Sequence, residues 1–348
     1  LQNNYPASSV FSSKEEQLNY KESDGNRHYK YIPCPLCSED KYIIFHKKTD
    51  FAPRERKYNK DKWKDFILIL STKIIGVRNT SSLLSLYLGE KINLEELGYT
   101  VVQCTNCGFF YRNPIYRDDT IVKAYNRGYL KFLSGQYSED RIKTYDWVLN
   151  QLEFERKLGP VSGKRILDVG CGFGLFLQHF QKKGLEPYGV DFAEDCIQYA
   201  QDELDLKNTR VGNLDENSYE NNYFDAVTLW SVAAHLNDPI TMFRNIFRVL
   251  KKDGFLIIFT VNAGGIQHMV ELEYWNGFSK NHLIFFSTDT IERALNKVGF
   301  NHVEFGYDDR HFKKLLKENK ILKEERDTVN KLMEEKVLGD MLLVLARK

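Results

Sequence analysis

"RILDVGCGFG", residues 165–174, decides the fold. A short apolar run bounded by glycine reads as a buried strand, and glycines at 170, 172 and 174 break it into a turn. "LFLQHFQKKG", 175–184, then shows helical spacing and ends at Gly184, a C-cap signal. Such a turn lets the backbone approach a ligand closely and points helix N-terminal amides at it. The turn alone does not name the ligand, so the rest of the chain has to.

Outward from it, strands and helices alternate. "EPYGVD" (186–191), "FDAVTLW" (224–230) and "GFLIIFTV" (254–261) read as buried strands. "EDCIQYAQDEL" (194–204) and "PITMFRNIFRVLKKDG" (239–254) read as helices, and "NHVEFGY" (301–307) and "DMLLVLARK" (340–348) as closing strands. The pattern argues an α/β fold, Rossmann-like and doubly wound. Leucines, Val329 and Met333 recur at helical spacing over 311–336. That helix packs on its own domain or self-associates as a coiled coil.

The 348 residues allow more than one domain. Lys+Arg is 49 against Asp+Glu 48, which weighs against nucleic acid as a partner. No apolar run approaches the roughly 18 residues of a membrane span, and "LQNNYPASSVFSSKEEQ" (1–17) lacks the apolar stretch of a signal peptide, so the expected location is cytoplasmic. The expected organisation is a polar arm over 1–28, a cysteine-bearing module over 29–116 with an insertion at about 48–99, a helical connector over 117–160, and the α/β domain over 161–348.

In dinucleotide sites the third glycine comes one residue later than Gly174 does here. With Asp168 two residues before Gly170, the turn instead resembles the first motif of the class I S-adenosylmethionine-dependent methyltransferases, and the expected sheet is their seven-stranded one. The resemblance covers residues 160–310 and the last strand, including "VGNLDENSYENNYFDAVTLWSVAAHLNDP" (211–239) and "HLIFFSTDTIERALNKVGF" (282–300). It implies that Asp168 serves the methionine ammonium, that Gly170, Cys171, Gly172 and Gly174 form the cradle, and that Asp191 accepts both ribose hydroxyls. Asn213 stands where the family has an acid for the adenine amino group, Leu214 offers its backbone amide, and Phe192 and Trp230 complete the cofactor set. The family's Glu-His pair reads Ala234-His235 here. A base for an oxygen nucleophile is sought at His282 and His235, then at His268 and Tyr274 in "NAGGIQHMVELEYWNGFSKNH" (262–282).

Cys34-x-x-Cys37 and Cys104-x-x-Cys107 have zinc-ribbon spacing, and four thiolates leave no open position on the metal, so the expected Zn2+ is structural. A ribbon ahead of a methyltransferase domain resembles a bacterial group that methylates sugars, nucleotide-linked sugars, surface glycans or secondary metabolites. Residues 47–64 hold eight Lys/Arg against three Asp/Glu, which points to an anionic acceptor. The expected function is therefore methyl transfer to a sugar, glycan or related polar small molecule. RNA methylation and a non-catalytic scaffold are the rivals.

Overall fold

The computed structural model describes residues 29–30, 32–48, 99–116, 135–265, 268, 275, 277–278, 282–308 and 339–348. The arm, the insertion, the 311–336 helix and Tyr274 lie outside the described residues.

In chain order the strands of the cysteine module are β1 (Tyr29–Lys30), β2 (Tyr42–Lys48), β3 (Tyr99–Cys104), β4 (Phe110–Arg112) and β5 (Ile115–Tyr116). Helices α1 (Gly135–Gln151) and α2 (Phe154–Leu158) follow. The alternating part runs β6 (Arg165–Val169), α3 (Leu175–Lys182), β7 (Glu186–Asp191), α4 (Glu194–Asp202), β8 (Thr209–Val211) and β9 (Phe224–Trp230). A 3-10 turn (Ala233–His235) leads to α5 (Pro239–Val249), β10 (Leu250–Val261), β11 (Ile284–Phe285), α6 (Thr288–Val298), β12 (His302–Asp308) and β13 (Met341–Arg347).

Among the described residues the central sheet has the order β12-β13-β10-β9-β6-β7-β8. Strands β6 to β10 pair in parallel, while β13 runs antiparallel between β10 and β12. The order reverses at β6, which puts a crevice above the carboxyl ends of β6 and β9, where open α/β sheets bind ligands. One sheet face is covered by α1, α2 and α3, with Val148, Phe154, Phe176 and Phe180 buried against Ile166 and Ile257. The other carries α5 and α6, with Phe243, Ile246, Ile291 and Leu295 against Val227 and Ile258.

Local chemistry sets the helix ends. Asp238 Oδ1 accepts from the Thr241 amide at 3.0 Å ahead of Pro239, which starts α5. Ser287 and Thr290 close a reciprocal capping box on α6. The helix expected to run to Gly254 stops at Val249. Leu250 is fully buried and pairs with Phe224, and Lys251 Nζ reaches Asp225 at 2.7 Å, so β10 begins there instead.

The cysteine hairpin forms a second, antiparallel sheet, β11-β4-β3-β2, whose edge strand comes from the α/β part of the chain. Cys34, Leu36, Cys104 and Phe109 share one apolar core with Leu167, Phe243 and Ile291.

Candidate active site and metal centre

The turn after β6 is held by Val190, whose carbonyl accepts from the Gly170 and Cys171 amides at 2.8 and 3.1 Å. Gly170 has φ +78°, and a Cβ there would sit 2.4 Å from Val232 Cγ2, three residues before His235. The glycine turn thus packs directly on the segment that carries a candidate base. Gly172 has φ +51°, and a Cβ there would meet nothing within 4 Å. That open space is what a ligand laid against the turn requires.

Two carboxylates stand at the carboxyl ends of neighbouring strands β6 and β7, near enough for the Asp191 charge to act on Asp168. Asp168 is buried and accepts from Thr228 Oγ1 at 2.7 Å. Burial pushes its pKa to about 8, while the Thr228 hydroxyl and the Arg141 charge pull the other way. Asp191 accepts from the Gly172 amide at 2.8 Å and the Ala193 amide at 2.9 Å, one on each carboxylate oxygen. Each oxygen keeps a second lone pair for a hydroxyl donor. Burial raises the Asp191 pKa as well. Two desolvated acids and an open glycine turn suit a ligand with an ammonium and vicinal hydroxyls, the chemistry of S-adenosylmethionine. Phe192, 40% exposed, and Val211, 52% exposed, offer apolar surface beside Asp191 and Asn213 for a flat base.

Asn213 and Leu214 are placed differently from expectation in one respect: the Leu214 amide donates to Asn213 Oδ1 at 2.9 Å, so the two groups assigned to adenine hold each other. Trp230 is buried against Tyr145, Phe176 and Phe259. Its Nε1 has no hydrogen-bond partner among the described residues. Cys171 is a buried thiol whose pKa burial drives upward, an environment for packing rather than for a nucleophile.

The histidines separate into two environments. The His235 and His282 rings meet edge to face with centroids 4.9 Å apart. His282 Nδ1 lies 2.7 Å from the Gly277 carbonyl, which can only accept, so Nδ1 carries the proton. Burial lowers the His282 pKa, which leaves Nε2 bare at neutral pH. His268 is fully buried among Phe45, Phe110, Trp275 and Phe278, donates to the Ala263 carbonyl, and has its pKa lowered by burial to about 4.

Two features escaped the sequence. Arg141 on α1 acts on Asp168 and donates to Tyr145 Oη at 3.5 Å, although helical spacing gave no signal for it. Ser231 ends β9 in the left-handed region, φ +58°, with its amide on the Phe259 carbonyl at 2.8 Å. Such strain in a non-glycine residue collects at functional sites.

The four cysteine sulfurs lie within 4.8 Å of one another, with Cys34–Cys107 at 3.5 Å and Cys37–Cys104 at 3.6 Å. Thiolates about 2.3 Å from one tetrahedral zinc stand at about these separations. Hydrogen bonds from Cys107 and Cys34 lower the Cys104 thiol while raising those two partners, so these thiols are coupled as one group.

The family profile described as "Methyltransferase domain" matches residues 137–305. A relative in Ruegeria sp. strain TM1040, named ubiquinone biosynthesis O-methyltransferase, is 32% identical over 178 residues, covering 46% of this chain and 71% of that protein. This chain belongs to the class I S-adenosylmethionine-dependent methyltransferases. A protein of the same name in Ruegeria pomeroyi is 33% identical over 129 residues, 34% of this chain and 51% of that protein, so this methyltransferase spans about half the length of that relative. A SAM-dependent methyltransferase from Archaeoglobus fulgidus is similar at TM-score 0.44 and 19% identity, over 67% of this chain and all of that one.

These relatives correct one expectation. Both curated proteins are named for ubiquinone biosynthesis, which overturns the sugar, glycan or polar acceptor. The physical reason is that motifs shared across the methyltransferases define the cofactor side. The basic segment that pointed to an anionic acceptor lies outside the described residues. Among the described residues no helix is long and apolar enough to cross a membrane.

Proposed function

We propose that this methyltransferase moves a methyl group from S-adenosylmethionine to a ring hydroxyl of a small hydrophobic acceptor of the quinone-precursor class. The observation that carries the reading is the His282 imidazole, protonated at Nδ1 by its bond to Gly277 and bare at Nε2, in contact with His235 beside the cofactor turn. The names of the curated relatives support the acceptor class.

Bound S-adenosylmethionine supplies an activated methyl on a sulfonium. Asp168 would take its ammonium, with Arg141 beside it for the carboxylate, Asp191 would take the ribose hydroxyls, and Phe192 would offer apolar surface to the adenine. His282 Nε2 accepts the proton of the acceptor hydroxyl, and His235 steadies the imidazolium that results. A phenolic hydroxyl, pKa about 10, is within reach of such a base. Cys34, Cys37, Cys104 and Cys107 would hold one structural Zn2+.

The test is turnover of a catechol-type acceptor with labelled S-adenosylmethionine. Label should reach the acceptor oxygen, and His282→Ala should slow it by roughly 100-fold or more at unchanged cofactor affinity. Binding of the cofactor without transfer to any catecholic or phenolic acceptor would overturn the reading.

A further inference from the structure

The cysteine hairpin and the candidate base are joined by two separate routes. The first runs through backbone. Cys104 ends β3, and β3 pairs with β4 through Gln103 and Phe110. The next strand over is β11, with Phe285 opposite Phe110 and Ile284 opposite Tyr111. The Arg112 amide of β4 donates to the Leu283 carbonyl at 2.7 Å, and the Leu283 amide donates to the Ala234 carbonyl at 2.7 Å. Leu283 therefore ties the hairpin to the turn that carries His235, and His282 is its chain neighbour. A parallel set of contacts pins the hairpin from the other side: Arg293 and Lys297 on α6 donate to the Cys107 and Leu36 carbonyls, at 2.7 and 3.0 Å.

The second route runs through side chains. The Gly277 carbonyl that fixes the His282 proton sits in a turn closed by the Phe278 amide on the Trp275 carbonyl at 3.0 Å. Trp275 and Phe278 pack on each other and on Phe285. Phe45 of β2 lies 5.9 Å from Phe278 and 4.8 Å from Phe110, ring centre to ring centre. His268 fills the middle of this group, against Phe45, Phe110, Trp275 and Phe278. Phe45 and Phe110 of the hairpin thus close one side of this group, and Phe285 carries it to the His282 ring, 6.3 Å away between centres.

We propose that the metal-loaded cysteine hairpin is a positioning element of the catalytic centre: by fixing β4 against β11 and the Phe45–Phe110 wall against the 275–278 turn, it sets the place and tautomer of His282. This rests on the reading of His282 as the base and of the four cysteines as a zinc site. Metal bound between Cys34–Cys37 and Cys104–Cys107 closes the hairpin, and a loosened hairpin releases both the Leu283 bridge and the aromatic wall. Asp168 and Asp191 take their hydrogen bonds from Thr228, Gly172 and Ala193, none of which lies on either route. Loss of metal should therefore affect the base far more than cofactor binding.

The experiment uses the full chain labelled with 15N. The ring-nitrogen signals of His282 report its tautomer and titration in metal-loaded protein and after a strong chelator. The same readings are taken on metal-loaded Phe110→Leu, which keeps all four cysteines. Metal content, cofactor affinity and turnover accompany each. In the chelated protein and in Phe110→Leu, His282 should lose its single tautomer and titrate closer to the ordinary histidine value near 6.5. Turnover should fall on the order of tenfold or more, as small misplacements do, with cofactor affinity within about twofold. An unchanged His282 tautomer and titration in either sample overturns the proposal, as does protein that binds no metal. Full activity of His282→Ala removes the base reading alone, because the His282 signals still report whether the hairpin positions that ring.

Discussion

His235 and His282, 47 positions apart in the chain, place their imidazoles edge to face at 4.9 Å, beside the turn that contains Gly170. One arrives from the carboxyl end of β9, the other from the segment that leads into β11. Neither sits on a regular helix or long strand, so their meeting depends on the loops that the Leu283 backbone joins.

The pair gives the first prediction. His282→Ala and His235→Ala should each slow turnover, His282→Ala by roughly 100-fold or more, with cofactor affinity nearly unchanged. Burial lowers the His282 pKa, so its basic form persists below the ordinary histidine range. The acid limb of turnover, where Nε2 takes a proton, should therefore lie below the ordinary histidine value. A pH–rate profile checks this, and an acid limb at or above the ordinary value would contradict it.

Asp168 gives the second. Burial raises its pKa to about 8, so it is largely protonated at pH 7 in the free protein. A ligand ammonium favours the ionised form, so the pKa is lower in the complex and binding releases a proton. Affinity should therefore rise with pH between 6 and 7.5, by up to about tenfold per pH unit. Calorimetry in buffers of different ionisation enthalpy measures the proton directly. Asp168→Asn should bind more weakly and lose the pH dependence.

How far the sequence carried the account depends on whether a signal was local. The β6 turn, Asp168, Asp191 and the alternation of strands and helices were legible, because buried strands read as apolar runs punctuated by glycine. The histidines were legible as candidates, but their proximity was not. β11 has two residues, too short for any periodicity, and its pairing with Phe110 spans about half of the chain. Arg141 and the left-handed Ser231 left no mark, since neither a helical arginine nor a serine after a strand is unusual. The bond between Leu214 and Asn213 is a rotamer choice that residue types do not encode. The acceptor was misread because the shared motifs describe the cofactor half of the reaction.

Gly172 separates folding from binding. A Cβ there meets nothing within 4 Å, so Gly172→Ala should cost about 1–3 kcal/mol of stability from its positive φ alone. The same methyl would stand in the space left for the cofactor. Cofactor affinity should fall on the order of tenfold or more while the far-ultraviolet circular dichroism stays that of the parent. Unchanged affinity would place the cofactor elsewhere.

Protein purified without chelators should contain one zinc per chain, by elemental analysis. Cys104→Ser should lower the thermal midpoint, because metal binding energy is folding energy for such a module. Since Cys104 shares its core with Phe243 and Ile291, hydrogen exchange should quicken in α5 and α6 as well as in the hairpin, while the sheet that carries Asp168 and Asp191 stays folded. Hydrogen exchange confined to residues 32–48 and 99–116 would contradict that coupling.

The most direct test is a calorimetric titration of S-adenosylmethionine into the protein and into Asp191→Ala. The account predicts one site per chain in the parent, and binding weakened by on the order of 1.5–3 kcal/mol in the variant, where two hydroxyls lose a charged acceptor. Equal affinity in the two proteins, or tight binding of a nicotinamide dinucleotide by the parent in place of S-adenosylmethionine, would contradict it.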